Sequence, residues 1–168
     1  MTTIWAFIIL LGVLITIHEY GHFMAARSVG VKVERFSIGM PPRFITIESV
    51  QDGFLLKIFF FRRIEGSLKW LPIIDKHIKK EGRLGSGTEY VIALLPLGGY
   101  VKMAGMIDEN MDTNISHKND EFQSKTLLQK IWVLSAGVIM NTLLAVIVFS
   151  LLGFYNGIPK TNDEPIVF

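Results

Sequence analysis

The sequence predicts a membrane protein, mainly α-helical, in which two spanning helices flank a cytoplasmic loop region that contains β-hairpins. Three observations carry this. Half of the 168 residues are hydrophobic, and the mean hydropathy is +0.41, high for a soluble domain of this length. Two stretches are apolar over the ~20 residues that crossing a bilayer takes, and Glu19 is the one Asp, Glu, Lys or Arg side chain in either. Of 17 Lys and Arg residues, 16 lie between Arg27 and Lys130, and only Lys160 lies outside.

The first span runs from about Thr3 to Ala26. Ile4 to Ile17 carries no charge, and Thr16 is its only polar residue. A cleaved signal peptide would show a basic n-region and a small-residue cleavage site. There is no basic n-region and no convincing cleavage site, and the apolar stretch continues past Glu19 through Phe23-Met24-Ala25-Ala26, so a retained helix is expected. The second span, Ile131 to Phe154, is 24 residues without charge. Cations near both span ends (Arg27, Lys32 and Arg35; Lys118, Lys125 and Lys130) put the intervening loop in the cytoplasm and both termini outside. Acidic residues are interleaved with the basic ones and no nucleic-acid motif occurs, so the lipid bilayer, not nucleic acid, is the expected partner. The absence of cysteine excludes disulfides, thiolate zinc sites and a cysteine nucleophile.

Five segments follow: 1–27, the first spanning helix; 28–84, a β-rich cytoplasmic region; 85–130, a hairpin and an amphipathic segment; 131–155, the second spanning helix; and 156–168, the start of an extracytoplasmic segment. Within the loop, Val31 to Ile38 alternates weakly and predicts a strand, and Met40-Pro41-Pro42 breaks it. Arg43 to Val50 and Phe54 to Phe61 are rich in β-branched and aromatic residues, and Gln51-Asp52-Gly53 between them is a hairpin signal. Phe59-Phe60-Phe61 suits either a buried strand or a membrane-facing edge. Pro72 to Lys80 predicts a short basic amphipathic helix, able to rest on an anionic leaflet or to lie solvated, with His77 as a surface residue. Gly82 to Gly87 reads as a linker. Tyr90 to Leu95 and Tyr100 to Met103 read as two strands joined at Pro96-Leu97-Gly98-Gly99. So apolar a hairpin is either protein core or dips into the bilayer with its backbone shielded by helices. Asp108 to Asn119 is polar and acidic, with His117 not expected to be a ligand. Asp120 to Lys130 predicts an amphipathic lead into the second span, where Ala136, Gly137 and Ala145 permit close helix approach and Asn141 is the only amide.

His18-Glu19-Tyr20-Gly21-His22 closes the first span's apolar run. On a helix His18 and His22 share one face, a turn apart. That spacing lets both imidazoles reach one Zn²⁺, with Glu19 alongside as the general base for water. Two structural histidines near a helix end would read the same. The apolar surroundings favour the metal, because ionisable groups at membrane depth cost several kcal/mol and mark function.

Three signals now stand in one order: the membrane-embedded H-E-x-x-H, then Pro96-Leu97-Gly98-Gly99-Tyr100-Val101-Lys102-Met103-Ala104-Gly105, then Gly137-x-x-x-Asn141. From Ile4 to about Phe154 the chain resembles the site-2 protease family of intramembrane zinc metalloproteases, in its bacterial regulator-of-sigma-E branch. The stretch Met106 to Thr113 is similar to Bacteroidetes-type versions. The resemblance implies that His18 and His22 ligate Zn²⁺ and that Glu19 activates water. It makes Pro96, Leu97, Gly98, Gly99, Tyr100, Val101, Lys102 and Met103 a membrane re-entrant β-element that holds an extended substrate segment, and puts Asn141 near the site or substrate. It implies a multi-pass protein of the bacterial inner membrane whose substrates are membrane-spanning proteins of the anti-sigma-factor or remnant-signal-peptide type. The chain departs from the family at Val138, where many relatives carry proline. It also lacks the L-D-G motif whose Asp, in a later span beyond one or more PDZ domains, is the family's third zinc ligand. The expectation is therefore an N-terminal catalytic portion, inactive alone, with the C-terminal part a missing partner. Two other functions fit the residues less well: a non-catalytic module that binds transmembrane peptides or partner proteins, and an anchored protease acting on soluble substrates.

Overall fold

The computed structural model describes residues 2–64, 67–79, 85–106 and 118–157. Helix α1, Thr2–Ser28, covers the first predicted span with one or two residues added at each end. Helix α2, Leu127–Asn156, starts four residues earlier than the predicted span. The earlier start has a local cause. The Thr126 side chain accepts from the Gln129 backbone N–H, and the Gln129 side chain reaches back to the Thr126 N–H, a reciprocal capping box. The expected amphipathic lead over 120–130 is instead a single 3-10 turn, Phe122–Ser124, followed by this cap. Most apolar side chains of both helices point outward; Ile4, Trp5, Phe7 and Ile9 on α1, and Val146, Ile147 and Phe149 on α2, are more than half exposed. Both helices are long and apolar enough to span a bilayer.

Between them lie four strands: β1 Val33–Val50, β2 Gly53–Ile64, β3 Ser67–Lys79 and β4 Glu89–Met103, in sheet order β3-β2-β1-β4. The expectation of a mainly α protein is corrected here. Helices of 27 and 30 residues are matched by strands of 18, 12, 13 and 15. The predicted helix over 72–80 is also corrected as far as Lys79, because those residues belong to β3. Ile73, Ile74 and Ile78 suit a pleated surface, and β2 supplies partners along the length of the strand, from Gly53↔Lys79 to Ile64↔Ser67. Short-range helical spacing loses to cross-strand pairing. The β1–β2 hairpin stands where the sequence put it, with Val50↔Gly53 flanking the turn.

The predicted 90–103 hairpin is corrected in its pairing. Its arms do not lie side by side. The first half of β1 is threaded between them: Ser37 pairs with Tyr100 on one side and with Val91 on the other, and Ile38 with Gly99 and Ile92. The chain turns at Met40-Pro41-Pro42, as predicted. The second half of β1 then runs back along β4, from Arg43↔Ala93 to Glu48↔Glu89. Among the described residues, 99–103 have β1 on one side only, an edge directed at the helices.

One core ties these parts together: Phe23, Ala25 and Ala26 of α1, Val33 and Phe36 of β1, Met103 of β4, Phe122, and Val133 and Ala136 of α2. Glu89 fixes the threaded strands from the polar side. It bonds Arg35 Nε at 2.5 Å and Arg43 Nη1 at 3.2 Å, one from each half of β1. Burial works against the Arg35 charge, but the Tyr100 hydroxyl and Glu89 more than offset it, so its pKa lies above the usual value. Residues 107–117 and 158–168 fall outside the described residues, and so do the expectations for Asp108 to His117 and for Lys160.

Glu89→Ala leaves two guanidiniums facing each other. It should cost about 1 kcal/mol, partial exposure holding the effect down, and speed amide exchange in β4 more than in β3. Equal exchange in mutant and parent would show that the cluster does not hold the sheet.

Candidate metal centre

Helix α1 brings His18, Glu19 and His22 to the surface that faces α2 and the 99–103 edge. The approach of α2 is unusually close because of two glycines. A Cβ on Gly21 would stand 2.5 Å from the Ala136 carbonyl oxygen. One on Gly137 would stand 2.5 Å from His18 Nε2 and 2.6 Å from His22 Nε2. All three distances are closer than real Cβ contacts come. The helix of the second span therefore lies directly against the two imidazoles.

That contact orients both rings. His22 Nδ1 lies 2.7 Å from the Val133 carbonyl oxygen. A carbonyl only accepts, so Nδ1 carries the proton and the Nε2 lone pair is left for the site. The two Nε2 atoms face each other at 3.1 Å. Two imidazole nitrogens on one tetrahedral zinc stand about 3.3 Å apart, since each Zn–N bond is about 2.0–2.1 Å. His18 Nδ1 has Asn141 Nδ2 at 3.4 Å, while Asn141 Oδ1 is buried without a partner. Amide nitrogen and oxygen have the same shape, and exchanging them sets Oδ1 against the His18 Nδ1–H. The exchange satisfies the orphaned oxygen and gives His18 the same arrangement as His22, a backing group that accepts from Nδ1.

Glu19 is half-buried on the adjacent face, with the Val101 backbone amide as a hydrogen-bond partner. A Cβ on Gly99 would lie 3.5 Å from Glu19 Cγ, so the edge strand passes beside the carboxylate. The predicted site residues thus divide. His18, Glu19, His22, Asn141, Gly99 and Val101 come together. Pro96 packs on α1 through its carbonyl, beside Gly12. Gly98 lies against the Met40 side chain. Leu97 is exposed, Tyr100 bonds Arg35, Lys102 pairs with Glu34 at 3.7 Å and Met103 is in the core. Sequence reading missed the Val133 carbonyl, since a backbone acceptor carries no residue signature; its only trace is its place one turn before Gly137. Beside the centre a cavity of about 340 Å³ opens between α1 and the strand turns, lined by Ile8, Gly12, Val13, Ile38, Pro96 and others.

The donor set fits zinc in part. Two imidazoles whose Nε2 atoms converge and whose Nδ1 positions are backed match two of the three protein ligands of a catalytic site. Among the described residues no group of three His, Cys, Asp or Glu side chains gathers around a metal position.

Comparison with known proteins bears on the same residues. The family model of peptidase family M50 matches residues 6–68 and 75–164. The chain is 39% identical over 165 residues to "Protease RseP" of Yersinia pestis, covering 96% of this chain and 28% of that protein. It is 36% identical over 143 residues to a "Putative zinc metalloprotease" of Helicobacter pylori, covering 84% and 31%. To "Regulator of sigma-E protease RseP" of Escherichia coli it is 36% identical over 163 residues, covering 96% and 27%. The chain thus spans less than a third of the length of these curated relatives.

Gly137→Ala should push α2 off the imidazoles. Overpacking of this kind costs about 1–3 kcal/mol, and metal affinity should fall at least tenfold. Gly153→Ala in the same helix meets nothing within 4 Å and should be neutral or stabilising by up to about 1 kcal/mol. Thermal unfolding and zinc titration of the pair separate the two; equal effects would remove the packing argument.

Proposed function

The chain belongs to peptidase family M50, and from that premise we propose that it is the catalytic portion of an intramembrane zinc metalloprotease of the site-2 type, which hydrolyses peptide bonds in membrane-spanning segments. The observation that carries the reading is the pair of Nε2 atoms 3.1 Å apart on a membrane-length helix. His18 and His22 would hold the ion through Nε2, with Val133 and Asn141 setting their rings. When bound, zinc supplies a Lewis acid that polarises a carbonyl and makes water more acidic. Glu19 takes a proton from the attacking water. The water oxygen adds to the scissile carbonyl carbon, the C–N bond breaks, and Glu19 returns the proton to the leaving nitrogen. A third ligand comes from outside the described residues, in our reading an Asp on a later span beyond a PDZ region. Without it the chain alone would bind zinc weakly and be inactive.

A helical substrate shields its peptide bonds with its own hydrogen bonds, so it must be extended before water can attack. The edge at 99–103 suits that task by strand addition, because it lies beside Glu19 and, among the described residues, has a partner strand on one side only. The apolar cavity next to it suits a hydrophobic side chain of the substrate. We read the Pro96–Gly99 turn as re-entrant. It touches α1 at Gly12, near the middle of a helix that runs from Thr2 to Ser28, and Leu94, Leu95 and Leu97 around it are exposed. Irregular chain at membrane depth needs its backbone covered, and the Pro96 carbonyl lies against α1 at Gly12. A non-catalytic peptide-binding module would use the same edge but has no use for a carboxylate beside two backed imidazoles. By charge distribution the loop between the helices faces the cytoplasm, and both helix ends away from it face outward, in the inner membrane of a bacterium. Anti-sigma factors and remnant signal peptides are the substrate types that the family resemblance implies.

Two measurements test this. In the complete protein, His18→Ala or His22→Ala should lose bound zinc and cleavage, whereas Glu19→Gln should keep zinc and lose cleavage by at least 100-fold, the scale of lost general-base catalysis. Zinc content unchanged in the double histidine mutant would sink the centre. For orientation, a reporter inserted near Gly85 should read as cytoplasmic and one placed after Lys160 as extracytoplasmic; the reverse pattern would move the site to the other leaflet.

A further inference from the structure

The β2–β3 hairpin takes no part in the centre described above, and its surface is unusual for a water-exposed extension. Phe60, Phe61, Ile73, Ile74 and Ile78 are each about half exposed. Among the described residues of the two strands, Lys57, Arg62, Arg63, Lys69, Lys76 and Lys79 face a single acid, Asp75. Arg62 and Lys69 stand directly opposite each other in the register. Like charges in that position destabilise a ladder, unless an anion lies over them. The match to the M50 family model skips residues 69–74, which lie in β3, so the hairpin carries residues outside the shared family pattern.

The registers place this surface relative to the membrane helices. Ile58 pairs with Ile45, and Ile45 with Ile92. Partners in register share a sheet face, and residues two apart on a strand return to it. Phe60 and Ile74 therefore lie on the face of Ile58, Ile45 and Ile92. Tyr90, on that same face, packs on Phe23 of α1 with ring centroids 6.0 Å apart. The apolar face that begins under α1 thus continues outward across β1 and β2 to β3, where no other described element covers it. The direction is also set. The second half of β1 runs antiparallel to both β2 and the first half of β4, so β2 advances towards Phe60 as β4 advances towards the Pro96 turn. Strand twist of roughly 20–25° per step turns β3 away from β4 by roughly 60–75° over three steps. A turn of that size would suit a hairpin lying along the membrane surface while β4 runs towards the Pro96 turn.

We propose that the β2–β3 hairpin is an interfacial anchor: its Phe60/Ile74 face rests at the headgroup–acyl boundary of the leaflet nearest the site, and Arg62, Lys69 and Lys76 hold anionic lipid phosphates. Aromatic and basic residues together are the composition that binds such a boundary, and each cation near an anionic surface contributes attraction that salt screens. The anchor would fix the tilt of the whole sheet, and so the position of the 99–103 edge against Glu19. It is separate from the catalytic reading and needs only that α1 spans the bilayer.

The cysteine-free chain allows a direct test. Phe60→Cys, Ile74→Cys, Asp75→Cys and Val13→Cys variants, each nitroxide-labelled, are reconstituted in nanodiscs with and without phosphatidylglycerol. Collision with oxygen and with a water-soluble nickel chelate is measured by power-saturation EPR. Labels at 60 and 74 should favour oxygen several-fold over the label at 75, approach the value at 13, and move deeper when phosphatidylglycerol is present. Arg62→Glu with Lys69→Glu should abolish that lipid dependence. Labels at 60 and 74 as open to the chelate as the one at 75, with 13 still in lipid, would overturn the anchor and leave the spanning helix intact. Labels shielded from both reagents would overturn it as well, because protein would then cover the face. Equal depth in the two lipid mixtures would overturn the anionic-phosphate assignment. The positions are exposed, and circular dichroism of each variant checks that the fold is kept.

Discussion

The contact between α1 and α2 is the constraint on which the rest of the molecule depends. In a bilayer, lipid is as apolar as the side chains it competes with, so helices associate through close packing and hydrogen bonds. Gly21 and Gly137 allow that packing, and the Val133 carbonyl supplies the hydrogen bond by accepting from His22. The same few atoms therefore join the helices and set the imidazoles. Stability and site geometry are not separable here: any side chain at 137 would displace the rings before it disturbed anything else.

The sheet depends on that contact in turn. Phe23, Val133 and Met103 share one core, so the edge strand is seated against the helix pair and not merely appended to it. Threading the first half of β1 between the arms of β4 gives the edge a rigid backing. It also leaves the outer side of 99–103 turned toward Glu19. A self-paired hairpin of the same sequence would have offered edges on both arms and fixed neither. The Glu89 cluster closes the threaded arrangement from the polar side, joining both halves of β1 to β4 through two guanidiniums.

This division explains the arrangement of charge and apolar surface. Polar side chains that meet each other, such as Arg35, Arg43 and Glu89, are paired within the sheet. In the β2–β3 hairpin Arg62 and Lys69 lie across from each other, and exposed phenylalanines and isoleucines stand on the same two strands. The first pattern belongs to a fold satisfying its own groups. The second is the pattern that the proposed lipid contact would complete.

Much of this was legible in the residues. Two long apolar stretches gave both spanning helices to within a few residues, because burial of such a run in lipid leaves the helix as the one open conformation that satisfies its own backbone. The i, i+4 spacing of His18 and His22 placed both imidazoles on one face, Asp52-Gly53 gave the β1–β2 turn, and Asn141 was marked by being the lone amide of its span. What the residues did not disclose was pairing over distance. The 72–79 stretch has helical spacing and forms a strand because β2 is there to pair with it. The 90–103 arms look like a hairpin and are held apart because 33–38 lies between them. The Val133 carbonyl, the direct contact of Gly137 with the imidazoles and the amide of Val101 beside Glu19 are backbone features, present at every residue and informative at none until the fold brings them near. Sequence alone determined which side chains could do the chemistry, since periodicity and composition are local. Tertiary structure decided how they are held, since register and helix contact are set by partners far along the chain.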